Sequence, residues 1–208
     1  MPPYTIHPLP KSHPNPSTWT RILASHKHLR LTSLLLSPSA FSSTHAREAA
    51  FTHAEWDARL RNPLAVTFVA VSPSPSPLDG REDVVEDEDP VASGENWIGT
   101  TVLYGPLDAS TTSTEVAAST PVTFEIFALF VVPEARGKGV GRGLVAAAVE
   151  CAKGVARERG VEGFVRIAAA GGNERAIGVY EGLGFRREEV EEGGEGEGDG
   201  TVRMVVGV

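Results

Sequence analysis

The fold is decided by residues 130–144, which read FVVPEARGKGVGRGL. An apolar run ends at Pro133, a glycine-dense turn follows, and helical periodicity then continues to Arg159. Glycines let backbone N–H groups approach an anion closely, and the start of a helix adds a partial positive charge. The turn also carries three basic side chains, those of Arg136, Lys138 and Arg142. This stretch predicts a strand, a phosphate-binding turn and a helix, with a plain glycine hinge as the alternative.

Two common phosphate-binding motifs do not fit this turn. A P-loop requires Ser or Thr after its lysine, but Lys138 is followed by Gly139. A dinucleotide-binding Gly-x-Gly-x-x-Gly pattern fails as well, because its last position falls on Arg142 or on Leu144. The pattern that does fit is Arg136-x-x-Gly139-x-Gly141 after a strand.

This pattern resembles the signature of the GNAT superfamily of acyl-CoA N-acyltransferases, [Arg/Gln]-x-x-Gly-x-[Gly/Ala] between a bulged fourth strand and a long helix. A second stretch, residues 173–185, reads NERAIGVYEGLGF and resembles the family element Asn-x-x-Ala-x-x-x-Tyr-x-x-x-Gly-Phe. Three N-terminal pieces also resemble the helical portion of many members: Arg30-Leu31, Ser37-Pro38-x-Ala40-Phe41 and Arg47-Glu48. The resemblance implies an α/β (α+β) fold, whose central, mostly antiparallel mixed sheet splays between strands 4 and 5 and is flanked by helices.

The spacing of apolar residues and turn signals predicts the elements along the chain. Predicted helices cover Trp19 to Leu34, the capping box Thr52-x-x-Glu55 to Asn62, Gly141–Arg159 and Glu174–Glu181. Predicted strands are Tyr4–Leu9, Ala65–Val71, Asn96–Tyr104, Thr123–Val132, Phe164–Ala169 and a hairpin of Phe185–Glu188 with Val202–Val206.

The charge of the chain is unevenly distributed. Its 208 residues include 27 acids and 19 bases, for a formal net charge of −8. Residues 79–89 and 188–200 hold seven acids each and one base between them, so 13 acids and 18 bases remain elsewhere. We therefore expect a mildly basic domain, suited to a polyanionic cofactor, that carries two acidic loops. These loops are expected to be solvated linkers, or alternatively to steer cationic amines.

The organisation predicted is one GNAT domain over residues 1–208, with flexible insertions at 72–94, 106–121 and 189–200. No apolar run is long enough to span a membrane, and residues 1–14 lack a signal-peptide pattern. The single cysteine, Cys151, excludes a disulfide framework and lies on an apolar helix face, which favours a core role over a nucleophilic one. The predicted location is the cytoplasm, with the nucleus open.

The family resemblance implies acetyl-CoA as cosubstrate, lying in the gap between strands 4 and 5. Backbone groups of Leu129, Phe130 and Val131 would contact the pantetheine arm, and Asn173 would lie near it or cap its own helix. Arg175 would either reach a phosphate or remain a solvated helix charge. The residues expected to hold the pyrophosphate, mainly through main-chain N–H groups, are Arg136, Gly137, Lys138, Gly139, Val140, Gly141 and Arg142.

The resemblance also implies two catalytic residues. Tyr180 matches the family tyrosine near the thioester sulfur and would protonate the leaving thiolate, the alternative being a tyrosine packed on its helix. Glu125 lies eleven residues before Arg136, where some branches place a general base. We expect Phe124, Ile126 and Phe127 to desolvate its carboxylate and raise its pKa; an outward-facing glutamate, with water as the base, is the alternative.

The predicted function is acetyl transfer from acetyl-CoA to a primary amine by direct attack in a ternary complex. A non-catalytic acyl-CoA-binding or regulatory module on the same fold is the alternative, and a nucleotide-phosphate binder is a weaker third. No metal is expected, because the six histidines form no ligand pattern. No nucleic acid or membrane partner is expected. The amine acceptor, small molecule or peptide, and the choice between monomer and homodimer stay open.

Overall fold

The structure, a computed structural model, describes residues 4–73, 90–108, 120–188 and 200–208. Among these residues a seven-stranded sheet runs in the order β1-β2-β3-β4-β5-β7-β6. The strands are β1 (Thr5–Pro8), β2 (Ala65–Val71), β3 (Trp97–Asp108), β4 (Val122–Val131), β5 (Gly163–Ala170), β6 (Arg186–Arg187) and β7 (Thr201–Gly207). The helices are α1 (Pro16–Leu36), α2 (His45–Ala49), α3 (His53–Arg61), α4 (Val140–Arg159) and α5 (Glu174–Glu181). Short 3₁₀ turns cover Pro38–Ala40 and Pro133–Ala135.

The sheet is antiparallel except where β4 meets β5. These two strands pair in parallel from Val122 opposite Gly163 to Ile126 opposite Ile167, and the register ends there. Just beyond, Ala128 adopts a left-handed φ of 57°, and three residue steps of β4 oppose two of β3. Such a bulge bends the strand away from its neighbour. The predicted fold is confirmed, including the splay between strands 4 and 5.

Helices cover the two faces of the sheet with different side chains. On one face α4 packs its small apolar stripe, and Leu144, Val145 and Ala148 are completely buried there. Burial of a leucine or valine side chain contributes about 1.5–3 kcal/mol. On the other face α1 and α3 pack around Trp19 and Trp56. Val132, which follows β4 in the connection to α4, packs against both cores.

Local signals in the sequence place the helix ends. The Thr52–Glu55 capping box is present, with the Thr52 N–H donating to Glu55 and the Glu55 N–H donating to Thr52 Oγ1. Helix α4 ends at Arg159 and is capped by Gly160, which adopts a left-handed φ of 67°. Since glycine takes that conformation at little steric cost, it is the usual helix-ending residue.

The edges of two expected insertions are ordered. Strand β3 continues to Asp108, because Leu107 pairs with Thr123 of β4, so the stretch 106–108 is strand rather than loop. Val91 is buried, and Ser25 of α1 donates a hydrogen bond to the Gly94 carbonyl at 2.7 Å, so residues 90–94 pack on α1. Residues 74–89, 109–119 and 189–199 of the three insertions lie outside the described residues. Helix α2, too short for a periodic signal, was not predicted. None of the described helices has the length and apolar character needed to cross a membrane.

Candidate active site

A cavity of about 510 Å³ lies beside the end of β4, past Ile126, the last β4 residue that pairs with β5. Its walls are the end of β4, the start of α4 and the inner side of α5. It is lined by every residue predicted to bind the cofactor except Lys138: Leu129, Phe130, Val131, Arg136, Gly137, Gly139, Val140, Gly141, Arg142, Asn173 and Tyr180. Ser37, Ala40 and Phe41 also line it. The sequence signalled these three only through the family-like Ser-Pro-x-Ala-Phe segment, and no site role was predicted for them.

The glycine turn, residues 137–141, forms the anion-binding end of this first cavity. Gly137 and Gly139 have left-handed φ values of 80° and 82°, and Gly139 is the N-cap of α4 with no side-chain cap. The first N–H groups of a helix have no partner within the helix and carry a partial positive charge. Tyr4 donates a hydrogen bond to the Gly139 carbonyl at 2.9 Å, which holds that carbonyl in place. The turn therefore presents main-chain donors suited to a phosphate.

The basic side chains near the glycine turn have different positions. Arg136 donates through Nε to the Val131 carbonyl at 3.0 Å and through Nη2 to Ser37 at 3.4 Å, so it braces β4 against the end of α1. Lys138 lines a separate cavity of about 170 Å³ with Tyr4. The side chain of Lys138 thus lies on a different side of the turn from the predicted phosphate position.

Two other arginines, Arg142 and Arg175, line the first cavity. Arg175 of α5 lines the cavity, and a methyl group added at Gly137 would lie 3.6 Å from its Nη2 atom. Of its two predicted roles, the position near the turn matches the phosphate contact. Arg142 also lines the cavity, and its Nη2 donates to the Gly182 carbonyl at 3.5 Å.

Tyr180 lies at the inner end of the first cavity. Its side chain is buried in α5, and burial raises the pKa of its hydroxyl to about 12. The phenol therefore keeps its proton at neutral pH and can donate it. Asn173 caps α5, since its Oδ1 accepts from the Ala176 N–H at 3.2 Å, and it lines the same cavity.

Tyr180 also lines a second cavity, of about 530 Å³, whose lining includes residues of both β4 and β5. Asn173, Leu129, Ala40 and Phe41 are likewise shared by both cavities. A third cavity, of about 240 Å³, shares Arg30, Arg59, Phe127 and Ala128 with the second. Tyr180 therefore borders both the cavity beside the glycine turn and a second cavity, which shares lining residues of α1 and α3 with the third.

A buried ion-pair network stands behind the second and third cavities. Arg30 donates to Glu48 through Nε at 2.9 Å and Nη2 at 2.7 Å, and Arg59 donates to Glu48 at 2.7 Å. Burial alone would raise the pKa of Glu48, but hydrogen bonds from Arg30, Arg59 and Ser43 lower it to about 2. Burial, and then the charges of Arg59 and Arg30, lower the pKa of His26 to about 3. Glu48 is thus ionised and His26 neutral at pH 7.

The prediction that Phe124, Ile126 and Phe127 desolvate the Glu125 carboxylate is wrong. Its side chain is exposed, while Phe124 and Ile126 are buried. Successive residues of a strand point to opposite faces, so those two side chains lie on the other side of the sheet. Phe127 does share its face but is itself 45% exposed. Glu125 does not line the first, the second or the third cavity. The expected desolvation is therefore missing, whereas a catalytic role remains a prediction.

Two other predictions concern metals and Cys151. Within the described ranges, no group of three or more His, Cys, Asp and Glu side chains lies close enough to hold a metal ion.

Cys151 is half-buried on α4 and packs against the α4 side of the core. Burial, with a contribution from the Glu158 charge, raises the pKa of its thiol. A raised thiol pKa disfavours the nucleophilic thiolate.

Comparisons with known proteins agree with this geometry. The acetyltransferase (GNAT) domain family matches residues 84–187, half of the chain. Arabidopsis thaliana NAA60 in complex with acetyl-CoA shares the fold at TM-score 0.59 and 16% identity, covering 99% of this chain and 98% of its own. A GNAT-family acetyltransferase from Streptococcus pneumoniae does so at TM-score 0.58 and 14% identity, covering 99% of both chains. The ribosomal-protein-S18-alanine N-acetyltransferase from Escherichia coli shares the fold at TM-score 0.51 and 14% identity, covering 98% of this chain and 93% of its own. No curated protein sequence matches the chain significantly.

Proposed function

Because the chain belongs to the GNAT acetyltransferase family, we propose that it transfers an acetyl group from acetyl-CoA to a primary amine by direct attack in a ternary complex. The observation that carries this proposal is the position of Tyr180, which borders both the first cavity and the second. A thioester at that junction would face the cofactor on one side and an acceptor on the other. The acetyl-CoA complex of the NAA60 structure, which shares the fold, is consistent with this choice of cosubstrate.

The first cavity offers suitable groups for both the pyrophosphate and the pantetheine arm of acetyl-CoA. Main-chain N–H groups of the glycine turn would bind the pyrophosphate, and Arg175 and Arg142 would add charge near it. The pantetheine arm would run along residues 129–131 of β4, whose parallel pairing with β5 has ended at Ile126. An extended chain bound to such an open strand is a common way to obtain main-chain hydrogen bonds.

The reaction requires a neutral amine nitrogen, an oxyanion donor and a proton for the departing sulfur. The amine attacks the thioester carbonyl, a C–N bond forms, and the C–S bond breaks as the tetrahedral intermediate collapses. A main-chain N–H near Phe130 or Val131 stabilises the oxyanion, and the protonated Tyr180 hydroxyl donates its proton to the CoA thiolate. The amine proton passes to water, because Glu125 is exposed and lies outside the lining of the cavities.

The test is thiol release from acetyl-CoA over a panel of primary amines, with mass spectrometry of the products. We expect acetylated amine as the product. Tyr180→Phe should lower kcat by about a hundredfold, the lower end of what general acid catalysis contributes. Acetyl-CoA affinity, measured by calorimetry, should be unchanged in that variant because only one oxygen atom is removed. Tight binding with turnover that is slow and insensitive to Tyr180→Phe would instead support a non-catalytic acyl-CoA-binding module. Cytoplasmic location and the choice between monomer and homodimer remain predictions.

A further inference from the structure

One hydrogen-bond donor in the wall of the second and third cavities has no partner. Arg30 is 8% exposed and lines both cavities. Its Nε and Nη2 atoms donate to Glu48, whereas its buried Nη1 atom makes no hydrogen bond. A buried charged donor without an acceptor is costly. Because Arg30 lines both cavities, an acceptor bound in them would lie next to this unpaired side chain.

The neighbouring side chains give this wall a positive charge. Arg59 also lines both cavities, and its side chain is 39% exposed although Nη1 pairs with Glu48. Two guanidinium groups thus share one carboxylate, which leaves a net charge of about +1. His26, which lines the third cavity, is neutral at pH 7 and so leaves this net charge unchanged. Among the described residues that line the two cavities there is no Asp or Glu.

We propose that the amine acceptor carries a carboxylate group, and that this carboxylate binds the Arg30–Arg59 pair. Guanidinium groups present paired N–H donors that match the two oxygens of a carboxylate. The inference rests on the proposed function, because the second cavity also borders Tyr180, where the amine would have to lie. A polycationic acceptor would meet like charge here, whereas a zwitterionic one would place its negative end on the arginines. The same positive charge disfavours protonation of the amine and so favours its nucleophilic form.

The experiment compares acceptors that differ only in carboxylate against carboxamide. One pair is glycine and glycinamide, which tests a free α-carboxylate. The other is an aspartyl and an asparaginyl dipeptide amide, which tests a side-chain carboxylate at a peptide N-terminus. Values of kcat/KM are compared per neutral amine, since the amines titrate differently. We expect a preference of about tenfold to a hundredfold for the carboxylate in one of the pairs, and that pair identifies the source.

Product binding gives a second measurement that does not depend on turnover. The protein saturated with CoA is titrated calorimetrically with N-acetylglycine and N-acetylglycinamide, and with the acetylated forms of the two dipeptide amides. The carboxylate member of the preferred pair is expected to bind about tenfold tighter.

The matched variants are Arg59→Gln and Arg61→Gln, two arginines of α3 with similar side-chain exposure, 39% and 45%. Arg61 pairs with Asp57 instead and does not line these cavities. Arg59→Gln should reduce the preference to about threefold or less, Arg59→Lys should keep part of it, and Arg61→Gln should keep all of it.

The outcomes separate this inference from the proposed function. Acetylation of amines with no carboxylate preference in either pair would overturn the inference and leave the acetyltransferase proposal standing. Acetyl-CoA binding without turnover of any amine would overturn both. A carboxylate preference that survives Arg59→Gln, or that Arg61→Gln reduces as much as Arg59→Gln does, would show that the carboxylate binds elsewhere and would also overturn the inference.

Discussion

Lowering the pH from 8 to 5 is expected to destabilise the folded domain through one buried side chain, His26. This imidazole is 9% exposed, packs edge-on against Trp56 at 5.9 Å and lies beside Arg30 and Arg59. Burial and these two charges lower its pKa from 6.5 to about 3. In the unfolded chain the same group takes up a proton as the pH falls through about 6.5. The unfolded state therefore binds more protons between pH 6.5 and 3, and stability falls as the pH is lowered through that window.

The size of the effect follows from the two pKa values. At pH 5 the unfolded chain has gained its proton over about 1.5 pH units, while folded His26 stays neutral. At 1.36 kcal/mol per unit, the loss of unfolding free energy is about 2 kcal/mol. Glu48 acts in the same direction but at lower pH, because its folded pKa is about 2 and its ordinary value 4.5. The loss between pH 7 and 5 should therefore be mainly that of His26.

The assay is urea denaturation of the wild type, His26→Phe and His28→Phe at pH 8, 7, 6 and 5. His28 lies on the same helix but is exposed. His26→Phe keeps an aromatic ring against Trp56 and removes the titration, so its pH-dependent loss should be smaller than that of the wild type by about 2 kcal/mol. His28→Phe should follow the wild type. Equal pH dependence in His26→Phe and the wild type would refute the reasoning, because it would mean that folded His26 binds its proton normally.

Three further experiments, on the glycine turn, the buried ion pair and Cys151, test other parts of the structure. Gly139→Ala should lower the unfolding free energy, measured in urea, by about 1–2 kcal/mol, because Gly139 has a left-handed φ of 82°. The same variant should bind acetyl-CoA more weakly in calorimetry. The control, Gly154→Ala, lies inside α4 with open space around it and should stabilise the protein by about 0.5–1 kcal/mol. Arg30→Met should cost about 3 kcal/mol in urea, because Glu48 then loses its bidentate buried partner. Cys151 should react with iodoacetamide more slowly in the native protein than in urea, since its thiol pKa is raised, as mass spectrometry can follow.

Each of these expectations has an outcome that contradicts it. Equal effects of the two glycine substitutions would remove the conformational argument for the glycine turn. For the ion pair the control is Lys153→Met, which breaks an exposed pair with Glu150 and should change stability by about 0.5 kcal/mol or less. An equally small effect of Arg30→Met would show that Glu48 is solvated. Rapid alkylation of native Cys151 would contradict its placement in the core.

Much of the fold could be predicted because its signals are local. The capping box at Thr52, the apolar run Ala65–Val71 and the helix-ending Gly160 each depend on a few adjacent residues. The same holds for the glycine turn, whose positive φ values require the residue type found there. Helix α2 and the last residues of β3 could not be predicted, because a five-residue helix has no period and residues 106–108 form strand only by pairing with β4.

The candidate site divides in the same way. Contiguous motifs identified the lining of the first cavity, but not the direction of individual side chains. Arg136 turns back to the Val131 carbonyl, Lys138 lies in another cavity, and Glu125 points away from the core. These directions depend on packing partners that are distant in sequence, such as Ser37 for Arg136.

By itself, the sequence determined the family, the order of elements and the glycine turn, because backbone conformation and periodicity are set by neighbouring residues. The tertiary structure alone decided the burial of Tyr180, which keeps its hydroxyl protonated. It also brought Arg30, Glu48 and Arg59 together from three helices. Charge pairing and desolvation depend on atoms that meet only when the chain is folded, so no local pattern in the sequence predicted the Arg30–Glu48–Arg59 network.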